Sequence, residues 1–366
     1  MNIGIRTDSS TAIGTGHVMR CLTLADALRA AGARVVFACR DLPGNLNAYI
    51  SSKGYAVHTL AGIENLVWEE DAAHMKALLA SEPTAPDWLI VDHYALDARW
   101  ESAIRPSVGR IMVIDDLANR RHDCDLLLDQ NFYPDAELRY RALVPPHGTQ
   151  LLGPRHALLR PEFNDAARYR KKRDGAISQI FIFFGGSDPT NETEKALCAI
   201  RKLDRADLHL DVVVGNANPN RDRIEALCAQ IPNAAFHCQI ANIATLMTRA
   251  DLAIGAGGAS TWERCYLGLP ALTIIVADNQ AETTRALADI GAVWNLGTAD
   301  TVTADAIACA LDEILSDSDA VCGKSRAALR VMGVADDRPV DASAADAIAA
   351  RLFAMLNDLR LIEVNT

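Results

Sequence analysis

Short apolar runs alternate with longer amphipathic stretches along this chain, the pattern of βα units in a parallel sheet. In the first half the runs at Asn2–Arg6, Arg34–Ala38, Trp88–Val91, Ile111–Ile114 and Leu126–Leu128 predict strands, and Val18–Ala31 predicts a helix. A second series follows, with strands expected at Ile177–Phe184, Leu210–Val214, Asp251–Ile254 and Ala271–Val276 and helices at Arg221–Ile231, Ile243–Ala250 and Gln280–Ile290. Two successive doubly wound α/β domains account for this order most simply. Between them, Val144-Pro-Pro-His-Gly148, Gly153-Pro154 and Arg160-Pro161 are turn-forming, and the charged stretch Arg168–Asp174 reads as a basic amphipathic helix. The expected organisation is a first domain over 1–150, a linker over 151–175, a second domain over 176–340 and a final helix over 341–366 that crosses back onto the first domain.

In an open parallel sheet, ligands bind beyond the carboxyl ends of the strands. Here those ends carry polar groups: Thr7-Asp8-Ser9, Cys39-Arg40-Asp41, Asp92-His93-Tyr94, Asp115-Asp116 and Asp129-Gln130-Asn131. They point to one crevice.

Composition narrows the choice of ligand. Half of the 366 residues are hydrophobic and 23% are charged, with 36 Lys and Arg against 47 Asp and Glu, a formal charge of −11. Such an acidic balance argues against nucleic acid or an anionic membrane as partner. Nine cysteines, an odd number and none in a Cys-x-x-Cys pair, argue against a disulfide framework or zinc ribbon. Met1 leads straight into a strand without signal-peptide features, and no apolar run approaches the length of a membrane span, so a soluble cytoplasmic protein is expected.

Three glycine turns carry the chemistry. The first, Arg6-Thr-Asp-Ser-Ser-Thr-Ala-Ile-Gly14-Thr-Gly16-His17-Val-Met-Arg20, joins the first strand to its helix. It lacks the third glycine of a dinucleotide fingerprint, since Met19 stands there, which disfavours a nicotinamide site. His17 in the first helical turn would face the crevice, with the positive dipole end favouring its neutral form, as a general base requires; capping or packing is the plainer role. Phe184-Gly185-Gly186-Ser187-Asp-Pro-Thr-Asn191 and Gly255-Ala-Gly257-Gly258-Ala-Ser260-Thr-Trp-Glu263 are the other two turns. Two helix N-termini aimed at one cleft make an anion site that needs few basic side chains, and phosphate suits it. No Gly-Lys-Ser/Thr follows either turn, so magnesium-dependent phosphoryl transfer is not indicated. Glu263 is placed to accept from a ribose diol, although a glutamate at a helix start is favoured by the dipole alone. Asp123-Cys-Asp125 has the form of a manganese motif but precedes its strand; His122 reads as a surface histidine, His93 as support for the site, and Cys21 and Cys265 as helix-packing residues.

Five strings, in order over residues 3–290, resemble one enzyme family: Arg6 to Cys21, Ile90-Val-Asp-His-Tyr94, Gly153-Pro-Arg-His-Ala-Leu-Leu-Arg-Pro-Glu-Phe163, Phe184-Gly-Gly-Ser-Asp-Pro189 and Asp278-Asn-Gln280. They are similar to the hydrolases of UDP-2,4-diacetamido-2,4,6-trideoxy-β-L-altropyranose in pseudaminic acid biosynthesis, relatives of the GlcNAc transferase that makes lipid II. The region after about residue 300 carries little of the likeness; Ala335-Asp-Asp-Arg-Pro339 matches a family segment only loosely. The resemblance implies the GT-B fold, two Rossmann-like domains facing a cleft. It also implies release of UDP by water with inversion at the anomeric carbon, and no metal or cofactor. By it, His17 is the catalytic base, Tyr94 lines the sugar side, and Asn191, Glu263 and Asn279 lie on the nucleotide-sugar side. The turns at Gly185-Gly186-Ser187 and Gly257-Gly258-Ser260 would cradle the diphosphate, and backbone near Ile240 would meet the uracil. Arg160 is placed by spacing as a phosphate contact, and Asp8 and Gly16 join the substrate-binding set from the first turn. The alternatives are a glycosyltransferase using an acceptor other than water, and a nucleotide-sugar sensor without catalysis.

Overall fold

The computed structural model describes residues 1–62, 66–170, 172–334 and 343–364. The chain divides into two compact units, Met1–Arg160 with Ala342–Thr366, and Pro161–Asp341. The Ala335–Pro339 segment lies outside the described residues.

The first unit is a seven-stranded, all-parallel sheet of β1 (Asn2–Thr7), β2 (Arg34–Arg40), β3 (Ala56–Leu60), β4 (Trp88–Asp92), β5 (Arg110–Ile114), β6 (Leu126–Asp129) and β7 (Thr149–Leu152). Its spatial order is β3-β2-β1-β4-β5-β6-β7. Alternate residues of the buried strands enter opposite cores. Ile3, Ile5, Phe37, Trp88 and Ile90 pack with helix Gly16–Ala30 on one face, while Ala38, Leu89, Val91, Ile111 and Val113 pack with Met75 and Trp100 on the other. The final helix, Ala344–Val364, belongs to the first of these cores through Ala345, Ile348, Ala349 and Leu352, and the Trp88 indole donates to the Leu352 carbonyl at 3.2 Å.

The second unit is a six-stranded parallel sheet of β8 (Gln179–Phe183), β9 (His209–Val214), β10 (Ala234–Cys238), β11 (Leu252–Ala256), β12 (Ala271–Ile275) and β13 (Trp294–Thr298), ordered β10-β9-β8-β11-β12-β13. Each sheet therefore reverses its winding once, between β1 and β4 in the first unit and between β8 and β11 in the second. At such a reversal the loops leave in opposite directions and open a crevice at the carboxyl ends. The three glycine turns follow β1, β8 and β11, so all of them lie at a reversal.

Every strand expected from the sequence is present. The four additional strands, β3, β7, β10 and β13, are the sheet edges, and most of their residues are half-buried or exposed. An edge strand covers less surface, so it needs no continuous apolar run and leaves no such signature. The basic helix expected over Arg168–Asp174 is a correction: the helix is Pro161–Ala167, starting at the proline that suits a first turn, and the described part of the charged stretch after it is not helical. Among the described residues no helix is long and apolar enough to cross a membrane.

The Leu352 side chain is fully buried in the first unit's core. Leu352→Ala should therefore lower stability by about 2–5 kcal/mol, the usual cost of a cavity at such a position. Urea unfolding followed by Trp fluorescence checks this; an unchanged midpoint would mean that the helix is not part of the core.

Candidate functional site

Helix Gly16–Ala30 starts one loop after β1, and its first turn places His17 and Arg20 on one side, three residues apart. Both reach Asp92, the last residue of β4, which sits opposite Thr7 in the sheet register. His17 Nδ1 lies 2.6 Å from Asp92 Oδ1, and Arg20 clamps the same carboxylate through Nε (2.6 Å to Oδ2) and Nη2 (2.7 Å to Oδ1). Arg20 Nη1 also donates to Asp116 at 3.1 Å, and the Tyr94 hydroxyl donates to the other oxygen of Asp116 at 2.7 Å. The Tyr94 ring stands edge-on to the imidazole, with centroids 4.6 Å apart.

The electrostatics of this cluster are one-sided. Burial works against a charge on Asp92, but Arg20 and His17 outweigh it and hold the carboxyl well below the usual carboxylate range. An ionised carboxylate can only accept, so the proton between the two groups belongs to His17 Nδ1, and Nε2 is the basic nitrogen. Arg20 with Asp92 and Asp116 sums to one negative charge.

Behind this cluster lies a second one. Asp8 accepts from Arg6 (2.6 and 3.0 Å), from Arg40 through its backbone (2.7 Å) and Nε (2.6 Å), and lies 3.1 Å from His93 Nε2. Asp8 is 1% exposed. Its place in the substrate-binding set is thus corrected: its oxygens tie the ends of β1, β2 and β4 together and have no face left for a ligand. His93 has the supporting place expected of it, its Nδ1 accepting from the Ala95 backbone at 3.0 Å. Gly16 is exposed at the helix start, and a side chain there would meet nothing nearby. Arg160, half-buried, ends the first unit.

His122 is also a correction. It is 3% exposed, with Nδ1 2.8 Å from Glu101 Oε1 and Nε2 3.8 Å from Asp115 Oδ2. Asp123 and Asp125 do not form a metal motif on a loop end; both hold Arg105, at 3.0 Å each. Cys21 and Cys265 are buried, as expected of packing residues, and Cys21 Sγ additionally lies 3.5 Å from Asp92.

In the second unit, Gly185 has φ +98°, a conformation that favours glycine, and Gly186 and Ser187 after it are exposed. The neighbouring loop is glycine too, because a side chain at Gly215 would collide with the Gly186 backbone. The expected anion site at the following helix is corrected. The Asp188 carboxylate accepts from the backbone N–H groups of Glu192 and Thr193, both at 2.9 Å, so the helix already holds its own anion. Asn191, at φ +58°, turns its amide to Glu194 at 2.6 Å. What the turn at Gly185–Ser187 offers a ligand is its backbone and the Ser187 side chain, not a helix end.

The turn after β11 is held from both sides. A side chain at Gly257 would collide with the Thr284 hydroxyl, and the Gln280 amide lies against Gly257 and Gly258. Gln280 Oε1 in turn accepts from the Val276 backbone at 3.1 Å. Asn279 is exposed on the same short 3-10 turn, Asp278–Gln280, while Ser260 and Glu263 are half-buried on helix Ser260–Tyr266. Ile240 is half-buried beyond the edge strand β10. Its loop is tied to the end of β9 by Gln239, whose backbone N–H donates to Val214 at 3.0 Å and whose side chain accepts from Asn216 at 3.3 Å.

Asp92, Arg20, Asp116 and Gln280 stand in the strand ends and strings named from the sequence, but the sequence assigns them no role; their contacts do. Arg20 and Asp92 are separated by 72 positions, and only the sheet order brings them together. The one local signal is the three-residue spacing of His17 and Arg20 on a helix.

Residues 180–337 match the family model of the Glycosyltransferase family 28 C-terminal domain. The chain is 26% identical over 319 residues to the spore coat polysaccharide biosynthesis protein SpsG of Bacillus subtilis, covering 86% of this chain and 89% of that protein. It is 29% identical over 292 residues to the UDP-2,4-diacetamido-2,4,6-trideoxy-beta-L-altropyranose hydrolase of Campylobacter jejuni, covering 80% and 97%. Among solved structures, MurG of Acinetobacter baumannii is similar with a TM-score of 0.63 and 15% identity over 96% of this chain and 99% of that one. The spinosyn rhamnosyltransferase SpnG complexed with thymidine diphosphate is similar with a TM-score of 0.62 and 19% identity, covering 91% and 95%. The fold is thus that of the GT-B glycosyltransferases, two parallel-sheet Rossmann-like units.

Two buried groups near the site set a pH dependence of stability. Burial alone would lower His122, but Asp115 and Glu101 outweigh it and push the imidazole up to about 9 from 6.5. Asp129 is pushed up to about 7 from 3.8, chiefly by burial. Geometry agrees, since the single Tyr140 hydroxyl proton faces both Asp115 Oδ2 (3.0 Å) and Asp129 Oδ2 (3.1 Å), leaving one carboxyl in need of a proton of its own. Both folded-state values are raised, so both contributions are full at low pH and lost on going up, Asp129 through about 7 and His122 through about 9. The stability difference between the wild type and His122→Gln, measured in urea, should be constant below pH 6.5 and shrink towards pH 9; a difference that grew with pH would contradict the assignment.

Proposed function

We propose that this protein is an enzyme that hydrolyses a UDP-linked diacetamido-trideoxy sugar, of the kind named for its Campylobacter relative, releasing UDP and the free sugar. The observation that carries this reading is the contact of His17 with Asp92, 2.6 Å long, inside a cluster with one surplus negative charge. Asp92 fixes the tautomer, Nε2 takes a proton from water, and the oxygen of that water bonds to the anomeric carbon as the bond to UDP breaks. The electron pair leaves on the diphosphate, whose departure needs no strong acid, so a second catalytic carboxylate is not demanded. Attack opposite the leaving group inverts the anomeric configuration. Tyr94 holds the imidazole plane and borders the sugar.

The second unit takes the nucleotide on this reading. The backbone at Gly185, Gly186 and Ser187 and at Gly257, Gly258 and Ser260 would bind the diphosphate. Asn191, Glu263 and Asn279 would serve the nucleotide-sugar side, the backbone near Ile240 the uracil, and Arg160 a phosphate. No metal or cofactor enters the mechanism. A transferase reading, in which an acceptor hydroxyl takes the place of water, is favoured by the family 28 match and tested by the same assay.

Incubation with the UDP-linked sugar, without acceptor, should release UDP, and EDTA should not change the rate. UDP release only on addition of a second acceptor would replace the hydrolase reading with the transferase one. Removing the base in His17→Ala should cost about 10²–10⁴ in kcat while UDP still binds. Asp92→Asn, which spoils the tautomer, should cost a similar factor on the order of 10²–10⁴. Retained turnover in His17→Ala would remove His17 from its role.

A further inference from the structure

Arg264, in helix Ser260–Tyr266, is a buried guanidinium without a carboxylate partner among the described residues. It is 1% exposed. Its Nη2 donates to the Ala256 carbonyl at 2.7 Å and to the Thr261 hydroxyl at 3.0 Å, and Nη1 lies 3.5 Å from the Ser260 hydroxyl. Its Nε is buried and has no hydrogen-bond partner. All three partners are neutral; Ala256 ends β11, and Ser260 and Thr261 begin the helix on the other side of the turn. The adjacent Glu263 pulls too weakly to offset burial, which pushes the guanidinium down to about 10. Arg6, buried, and Arg20, half-buried, differ in kind: each is held by two carboxylates.

The guanidinium lies directly against the end of β11, where the turn begins. A side chain at Gly255 would come within 2.6 Å of Nη1. On the other side of the turn the Thr284 hydroxyl, against Gly257, is likewise buried and unpartnered. A buried charge without a counter-ion is costly, and breaking even requires a compensating group. Tying down a carbonyl and two hydroxyls does not require charge, since a neutral amide donor could do it at lower desolvation cost.

We propose that Arg264 is a positioning residue of the nucleotide site: it shapes the Gly257–Ser260 turn and places beneath it a fixed positive charge whose counter-charge is the diphosphate of the bound nucleotide. This rests on the UDP-sugar reading above. It also accounts for how an acidic protein attracts a dianion without exposed basic residues at the turn, because the cation acts through the turn and not by touching the ligand.

The test compares UDP and uridine by calorimetry in the wild type, Arg264→Met and Arg264→Lys. In Arg264→Met, affinity for UDP should fall about tenfold or more, the low end of coupling between close charges, while uridine binding stays within about twofold. Arg264→Lys, which keeps the charge but not the fork, should hold most of the preference for UDP. An unchanged preference in Arg264→Met overturns the proposal and leaves the hydrolase reading standing, since the wild type still binds UDP. A wild type that binds neither ligand overturns both. Should Arg264→Met not fold, Arg264→Lys decides alone: a retained preference supports the role of charge, and a preference reduced to that for uridine overturns it.

Discussion

The first unit depends on one buried carboxylate. Asp92 ends a central strand with no exposure to solvent, and a bare charge there would be untenable. Arg20 and His17 make it tenable, and in doing so they fix where helix Gly16–Ala30 begins relative to the sheet. Arg20 answers to Asp116 as well, so the loop after β5 is set by the same contacts. The imidazole owes its orientation to this arrangement. Asp8 has the same role in the layer beneath, holding Arg6 and Arg40, while Arg6 continues to Asp71 and Asp71 to the Trp100 indole at 2.9 Å. Two chains of paired charges thus brace the sheet reversal, and such networks are worth their desolvation only when every member is satisfied.

These features are legible in the sequence where burial leaves a local trace. The nine central strands are apolar runs because both faces are covered; the four edge strands are not, and they carry no comparable signal. The glycine turns are readable because glycine at φ +98°, as at Gly185, is a local requirement. Partnerships between distant residues are not. Asp8 looks like a ligand contact when its three basic partners, each on a strand end, are unknown. Asp188 looks like one residue of a turn until its carboxylate is seen to occupy the very N–H groups that a phosphate would have used. His122, flanked by arginine and aspartate, reads as surface, yet Glu101 and Asp115 receive it in the interior.

The GT-B likeness fixes the frame and not the reaction. Transfer to an acceptor and transfer to water use the same base and the same leaving group, and they differ in what reaches the anomeric carbon. On the proposed reading that difference would lie in the groups bordering His17, Tyr94 and Asp116 among them, and not in the strand order shared with MurG or SpnG.

The formal charge of −11 is not an obstacle to an anionic substrate, because the two units distribute charge differently. In the first, Arg20 is shared between Asp92 and Asp116, which leaves one negative charge beside His17. In the second, helix Glu192–Leu203 is already capped by Asp188, whereas the turn after β11 rests on a cation that no described carboxylate neutralises. On the proposed UDP-sugar reading, the turn after β11 would therefore be the better seat, of the two glycine turns, for the charge that develops on departing diphosphate. A developing charge is stabilised most by a group held in place before it appears. The fixed guanidinium meets that condition, and a mobile surface lysine would not.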